Sequence, residues 1–296
     1  MEYITLANGV RMPKLGYGVY QVTKEECERC VADALEVGYR HIDTAQSYFN
    51  EEEVGNAIRK SGVSREELFV TTKVWIEHYG YEACRESVLE SLRKLQLDYL
   101  DLVLLHQPFA DYYGAWRALE DLYAEGKLRA IGVSNFYPDR LVDLCSFSRI
   151  RPMVNQVETH PYDQQKVAHE WMKKYDVIHE AWAPFGEGRG GGLFSDPVLE
   201  RIGAKYGKTT AQVMLRWHLQ RGIVVIPKST HKERMAENLN VFDFMLSDED
   251  MRQIDALDKE QSSFFSHTDP NMVEWFVKTV EERKKAHGND TAQKSW

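Results

Sequence analysis

The chain has no apolar run long enough to cross a bilayer; a spanning helix needs about 20 such residues. Its first residues, Met1-Glu2-Tyr3-Ile4-Thr5, lack a basic segment followed by an apolar one. No secretory leader and a cytoplasmic location are therefore expected. Cysteine is scarce, at four positions: Cys27, Cys30, Cys84 and Cys145. Cys27 and Cys30 form a C-x-x-C inside a helical pattern, with no second Cys or His pair at ligand spacing. That excludes a disulfide framework and a zinc site, and reduced thiols are expected. Positive charge is in deficit, with 37 Lys and Arg against 46 Asp and Glu, a net charge of −9. Non-specific binding to nucleic acid or membrane is excluded on that balance. An anionic ligand then needs a local basic cluster. No G-x-G-x-x-G opens a helix, because the Gly-rich stretch 188–192 lies in a loop after a strand. A Rossmann sheet lacks its fingerprint. A barrel hydrolase holding metal on Asp43, His106 and His160 has no H-x-H or H-E-x-x-H pair to support it.

What is present is the balance of a globular protein, 43% hydrophobic and 28% charged. The 296 residues show no linker and read as one domain, with a polar, frayed tail from about 284 to 296. Tyr3–Leu6, Asn8-Gly9 and Val10–Met12 read as a hairpin with a type I′ turn. It is placed to plug one end of a barrel. Eight β-like runs follow: 17–20, 40–43, 68–72, 100–105, 130–133, 153–157, 177–181 and 223–226. Amphipathic stretches such as 24–37 and 82–95 separate them; Thr23 reads as an N-cap and Gly38 as a stop. Strand and helix alternating about eight times is the grammar of a (β/α)8 barrel, and equally of a doubly wound sheet.

In a barrel, chemistry sits at the C-terminal ends of the strands. Those ends carry Asp43 with Tyr48 close behind, then Lys73, then His106. Taken singly, Asp43 is a helix cap, Tyr48 a loop aromatic, Lys73 a solvated lysine and His106 a core histidine. Together they suit carbonyl reduction. Tyrosine has a pKa near 10 and is a poor acid. A nearby ammonium lowers that value, an aspartate keeps the ammonium charged, and an imidazole positions the oxygen that takes the proton. The metal-hydrolase reading would leave Tyr48 and Lys73 without a role; a Schiff-base aldolase with Lys73 as nucleophile is a further rival, which borohydride trapping with a carbonyl would reveal.

The segments Leu15–Gly18, Gly38–Ala45 with Tyr48, Thr72–Trp75, Leu105–Pro108, Ile131–Phe136, Asn155–Glu158 and Ile226–Ser229 are similar, in this order, to those of the aldo-keto reductase family. Trp182 places the chain nearest the bacterial 2,5-diketo-D-gluconate reductase-like members. The resemblance covers nearly the whole chain. It implies a (β/α)8 TIM barrel with an N-terminal hairpin across the bottom and two extra helices. It also implies NADPH as cofactor, bound first, and small aldehydes or ketones as substrates. Tyr48 would be the acid, Lys73 and Asp43 its tuners, and His106 the substrate orienter. Ser134, Asn135 and Gln156 would hold the nicotinamide carboxamide, with Trp182 stacked on the ring. Lys228, Ser229 and Arg234 would clamp the 2′-phosphate; beside them Thr230, also expected at the cofactor, reads as the cap of a helix beginning near His231. Glu237 and Asn238 would meet the adenine, and the loop 186–192 would lie over the pyrophosphate. Tyr20, Phe49, Trp75, Gln107 and the segment near Phe264-Phe265 would line the substrate pocket. Position 20 is tryptophan in many animal relatives, and Gln107 replaces a common tryptophan, so the substrate anchor differs here. A monomer is expected. A non-catalytic NADPH-binding, redox-sensing subunit is the alternative.

Overall fold

Short runs rich in Val, Ile and Leu form parallel strands, and the amphipathic stretches between them form helices. Strands enclosed on both faces need no polar alternation, and every residue of the strand Phe69–Val74 is buried. The computed structural model describes residues 1–188 and 192–293.

The chain opens with a hairpin of β1 (Tyr3–Thr5) and β2 (Arg11–Pro13). Its turn is not the type I′ form predicted for Asn8-Gly9. Gly9 has a φ of 85°, whereas Asn8 is not in the left-handed region. Gly9 N donates to Leu6 O and Leu6 N to Val10 O, each at 2.8 Å. The loop is one residue longer than expected, and only its last position needs glycine. Asn8 Nδ2 donates to Arg129 O, just before a barrel strand, which fixes the hairpin at the N-terminal end of the sheet.

The barrel strands are β3 (Tyr17–Gly18), β4 (His41–Asp43), β5 (Phe69–Val74), β6 (Leu102–Leu105), β7 (Ile131–Ser134), β8 (Val154–Glu158), β9 (Ile178–Trp182) and β10 (Val224–Val225). They neighbour one another in chain order, all parallel. Leu15 forms a parallel bridge to Val225, and Gly18 N donates to Pro227 O at 3.1 Å. These bonds join the two edges and close the sheet into a (β/α)8 barrel.

The helices are α1 (Lys24–Val37), α2 (Glu51–Lys60), α3 (Tyr81–Leu95), α4 (Tyr112–Ala124), α5 (Pro138–Phe147), α6 (Lys166–Lys174), α7 (Pro197–Tyr206), α8 (Thr210–Gln220), α9 (Lys232–Leu239), α10 (Asp248–Asp255) and α11 (Pro270–Gln293). Since α8 already connects β9 to β10, α7 and α10 are additions to the barrel. They share a second core with α8, built on Leu199, Ile202, Val213, Trp217 and Ile254. The main core fills the barrel and its helical collar.

Contacts divide the chain into two compact units, Met1–Ser263 and Phe264–Trp296. The second is α11 with its lead-in, where Phe265 and Trp275 each pack on Phe276. Its helix continues to Gln293, across the stretch read as a frayed tail. The strong helix formers at 281–286 favour that continuation. Among the described residues, no helix is long and apolar enough to cross a membrane.

Candidate active site

The site begins where β4 ends. Asp43 is the last residue of that strand, and a single 3₁₀ turn, Gln46–Tyr48, follows at once. Phe49 closes the turn in the left-handed region, at a φ of 59°. The tight turn swings Tyr48 back over the strand end rather than out along α2. Lys73 stands on β5, beside β4 in parallel register. Its Nζ lies 2.5 Å from Asp43 Oδ1, 3.0 Å from Thr44 O and 3.3 Å from Tyr48 Oη. The three side chains predicted from strand ends therefore form one hydrogen-bonded chain.

Lys73 is fully enclosed. An ammonium in that position is tolerated only when paired. Burial works against its charge, but Asp43, Tyr48 and Glu180 outweigh burial and hold its pKa above the ordinary lysine value. Burial pushes the Tyr48 phenol up, to about 12, with Lys73 pulling the other way. The expected net lowering is thus not found in the protein alone. Lys73 acts in the predicted direction, but desolvation of a phenolate is the larger effect.

His106 follows β6 directly. Its ring meets Tyr48 edge-on at 5.7 Å between centroids and Trp75 at 5.1 Å. Its Nδ1 lies 3.4 Å from Ser47 Oγ. Tyr20 packs on Tyr48 at 5.0 Å, and Tyr20 and Phe49 are both about half exposed. Tyr48, His106, Trp75 and Tyr20 thus form one aromatic surface at the mouth. Gln107 differs: it is 6% exposed, and its Oε1 is sealed from solvent without a hydrogen-bond partner among the described residues.

Next along the strand ends come Ser134, Asn135 and Gln156. Ser134 Oγ donates to Gln156 O at 2.8 Å, and Asn135 Nδ2 donates to His106 O at 3.1 Å. Trp182 Nε1 donates to Asn135 Oδ1 at 2.9 Å, which pins the edge of the indole. Asn135 sits in the left-handed region, at a φ of 63°, which asparagine tolerates better than most residues. Gln156 Nε2 donates to Asp43 Oδ2 at 3.0 Å and to Glu180 Oε2 at 2.9 Å.

The residues after β10 form a second cluster. Lys228 and Arg234 are exposed, and neither makes an ion pair among the described residues. Lys232 is instead taken by Glu36. Tyr17 Oη donates to Ser229 O at 2.6 Å, and Ser229 Oγ accepts from His231 N. Thr230 is not the cap of α9. The helix starts at Lys232, and its N-cap is His231, with no side-chain hydrogen bond. Thr230 instead offers its carbonyl to Arg29. Glu237 accepts from Thr209 Oγ1 at 2.9 Å, and Asn238 is buried beside it on α9. Two free cations suit an extra phosphate, and amide and hydroxyl groups beside an acid suit a nicotinamide. The residues present fit NADP(H). Of the loop 186–192, positions 189–191 lie outside the described residues.

The sequence reading missed Glu180, a fully buried acid in the middle of β9. It lies against the Lys73 and Asp43 pair, and burial together with Asp43 raises its pKa to about 8. The available signal was a carboxylate at the centre of a five-residue strand that begins and ends on apolar side chains.

The model of the Aldo/keto reductase family matches residues 6–259. The 9,11-endoperoxide prostaglandin H2 reductase of Trypanosoma cruzi is 50% identical over 260 residues, 87% of this chain and 92% of that protein. The glyoxal reductase of Bacillus subtilis is 50% identical over 262 residues, 88% of this chain and 94% of that protein. Among solved structures, a Bombyx mori aldo-keto reductase in complex with NADP aligns with a TM-score of 0.85 at 36% identity. That alignment covers 89% of this chain and 95% of that one. With a closed barrel, these strand-end residues and a family match across most of its length, the chain belongs to the aldo/keto reductase family.

Proposed function

We propose that this protein reduces small aldehydes or ketones with NADPH, and that Tyr48 gives the proton. The observation that carries the reading is the chain Asp43–Lys73–Tyr48, whose hydroxyl lies 3.3 Å from the ammonium. When bound, the reduced nicotinamide supplies a hydride to the carbonyl carbon. The protein must then supply a proton to the oxygen. With its pKa near 12, Tyr48 is fully protonated at neutral pH and has a proton to give. Lys73 lies where it stabilises the phenolate left behind, and Asp43 holds Lys73 charged and in place. His106, wedged against Tyr48 and Trp75, is positioned to orient the carbonyl oxygen.

Ser134, Asn135, Gln156 and Trp182 would hold the nicotinamide. Lys228, Ser229 and Arg234 would hold the 2′-phosphate, and Glu237 and Asn238 the adenine side. The half-exposed Tyr20 and Phe49 suit an open mouth and a small substrate. Glyoxal, named for the Bacillus subtilis relative, is the first compound to try. A complete set of acid, tuner and orienter has no purpose in a non-catalytic NADPH-binding subunit.

The test is Tyr48→Phe, with NADPH consumption and NADPH binding measured in parallel. Turnover of glyoxal should fall by roughly 10²- to 10⁴-fold, the range for loss of a positioned acid, while NADPH affinity changes little. Retained turnover would remove Tyr48 from the mechanism. Binding of NADH but not NADPH would remove the cofactor assignment.

A further inference from the structure

Glu180 has no part in the mechanism above, yet it touches its centre. It is fully buried on β9, in register with Gln156 on β8. Acidic side chains are almost never fully buried unless something pairs them. Ion pairing does not explain this one, because Asp43 already balances Lys73 in a direct contact. The groups facing Glu180 are Asp43 and His41 on β4, Lys73 on β5 and Gln156 on β8. Its Oε2 accepts from Gln156 Nε2. Its Oε1 is sealed from water, makes no hydrogen bond among the described residues, and lies 3.7 Å from His41 Nε2.

The Gln156 amide therefore sits with its nitrogen between two carboxyl groups. An amide nitrogen carries two N–H donors, and both are used here, one on each acid. The reverse orientation would set the amide oxygen against Asp43. The amide oxygen must then lie on the far side, where none of the described residues donates to it.

We propose that Glu180 is a positioning residue. With Asp43 it grips the Gln156 amide by its N–H edge, so that the amide oxygen is presented to the N–H of the cofactor's carboxamide. The inference rests on the NADP(H) reading above. An uncharged Glu180 suits the role, since it accepts from the amide without adding a second negative charge beside Asp43. Its raised pKa agrees with that.

The probe is the binding of NADPH and of its 3-acetylpyridine analogue, which has a methyl ketone in place of the carboxamide and so no N–H to give. Both are followed by quenching of tryptophan fluorescence in the full-length protein, with a thermal melt of each variant. Wild type should prefer NADPH over the analogue by roughly three- to tenfold, the yield of one ordinary hydrogen bond. Glu180→Leu should lose most of that preference while binding the analogue as wild type does. Glu180→Gln keeps a neutral acceptor in place and should recover most of the preference. If the leucine variant does not fold, Glu180→Asp, which withdraws the acceptor by one methylene, takes its place. Equal binding of the two dinucleotides by wild type would overturn the proposal. So would an unchanged preference in Glu180→Leu, or an equal loss of both ligands. If wild type binds neither dinucleotide, the cofactor reading fails instead.

Discussion

A lysine enclosed on all sides and a tyrosine whose pKa rises rather than falls set the character of this site. Both follow from desolvation, which penalises whichever form carries charge. Asp43 compensates Lys73 directly, whereas Lys73 offsets only part of the cost of burying a Tyr48 phenolate. Arg234 is the opposite case, an exposed cation with no acidic partner among the described residues. A planar guanidinium gives a phosphate paired, charge-assisted hydrogen bonds. Such bonds contribute about 1.5–3 kcal/mol, or roughly 10- to 100-fold in affinity. Arg234→Met should weaken NADPH by that factor and leave NADH almost unchanged in fluorescence titrations. Equal weakening of both would place the arginine outside the phosphate site. At this scale the strand-end residues were legible, because barrel chemistry collects at strand ends. Glu180 was not: a charged residue in the middle of a strand reads as facing water, and only the closed sheet turns it inward beside Gln156.

Elements were legible where periodicity and stop signals agreed. All eight strands formed within the predicted runs or a residue or two beyond them, and α1 has the predicted bounds. The errors concern caps and turns. Asn8-Gly9 is compatible with two loop lengths, and tertiary bonds from Asn8 to Arg129 and Tyr123 select the longer. Thr230 has a capping side chain, but α9 starts two residues later. Where α6 packs on β9, His169 Nδ1 lies 3.1 Å from His179 Nδ1, and His179 Nε2 lies 2.8 Å from Thr159 Oγ1. Burial, followed by His169, Arg221 and His218, drives the His179 pKa well below the ordinary value, and His169 falls to about 4. A depressed histidine pKa means that the unfolded chain binds the proton first. Its stability is therefore complete above about pH 6.5 and is lost as pH falls towards the folded value. Each such group adds a slope of at most about 1.4 kcal/mol per pH unit. Asp163 and Glu180, with pKa values raised to about 6 and about 8, act in the opposite sense. The informative quantity is thus the difference between wild type and His179→Gln. Between pH 7 and pH 5.5, urea midpoints should fall less in the variant. Parallel curves would show that the histidine pair does not titrate on unfolding.

At the scale of the molecule, barrel and open sheet share the same local grammar, so the sequence pattern left both open. The choice is made by bonds between segments far apart in the chain, where Leu15 meets Val225 and Gly18 meets Pro227. Every residue of both buried cores precedes Ser263, the last being Ile254. The hairpin, the eight strands, the two added helices and all the proposed cofactor residues also lie within that unit. Apolar burial is the main drive for folding and scales with the area removed from water. A chain ending at Ser263 keeps both clusters whole. It should therefore fold, unfold in one cooperative thermal transition, and keep the far-ultraviolet circular dichroism of a helix-rich α/β protein. Its spectrum should differ from that of the full chain mainly by the lost α11 signal. A truncated chain that shows no cooperative melt would mean that residues from 264 onward are required for the barrel, and that the two units fold as one.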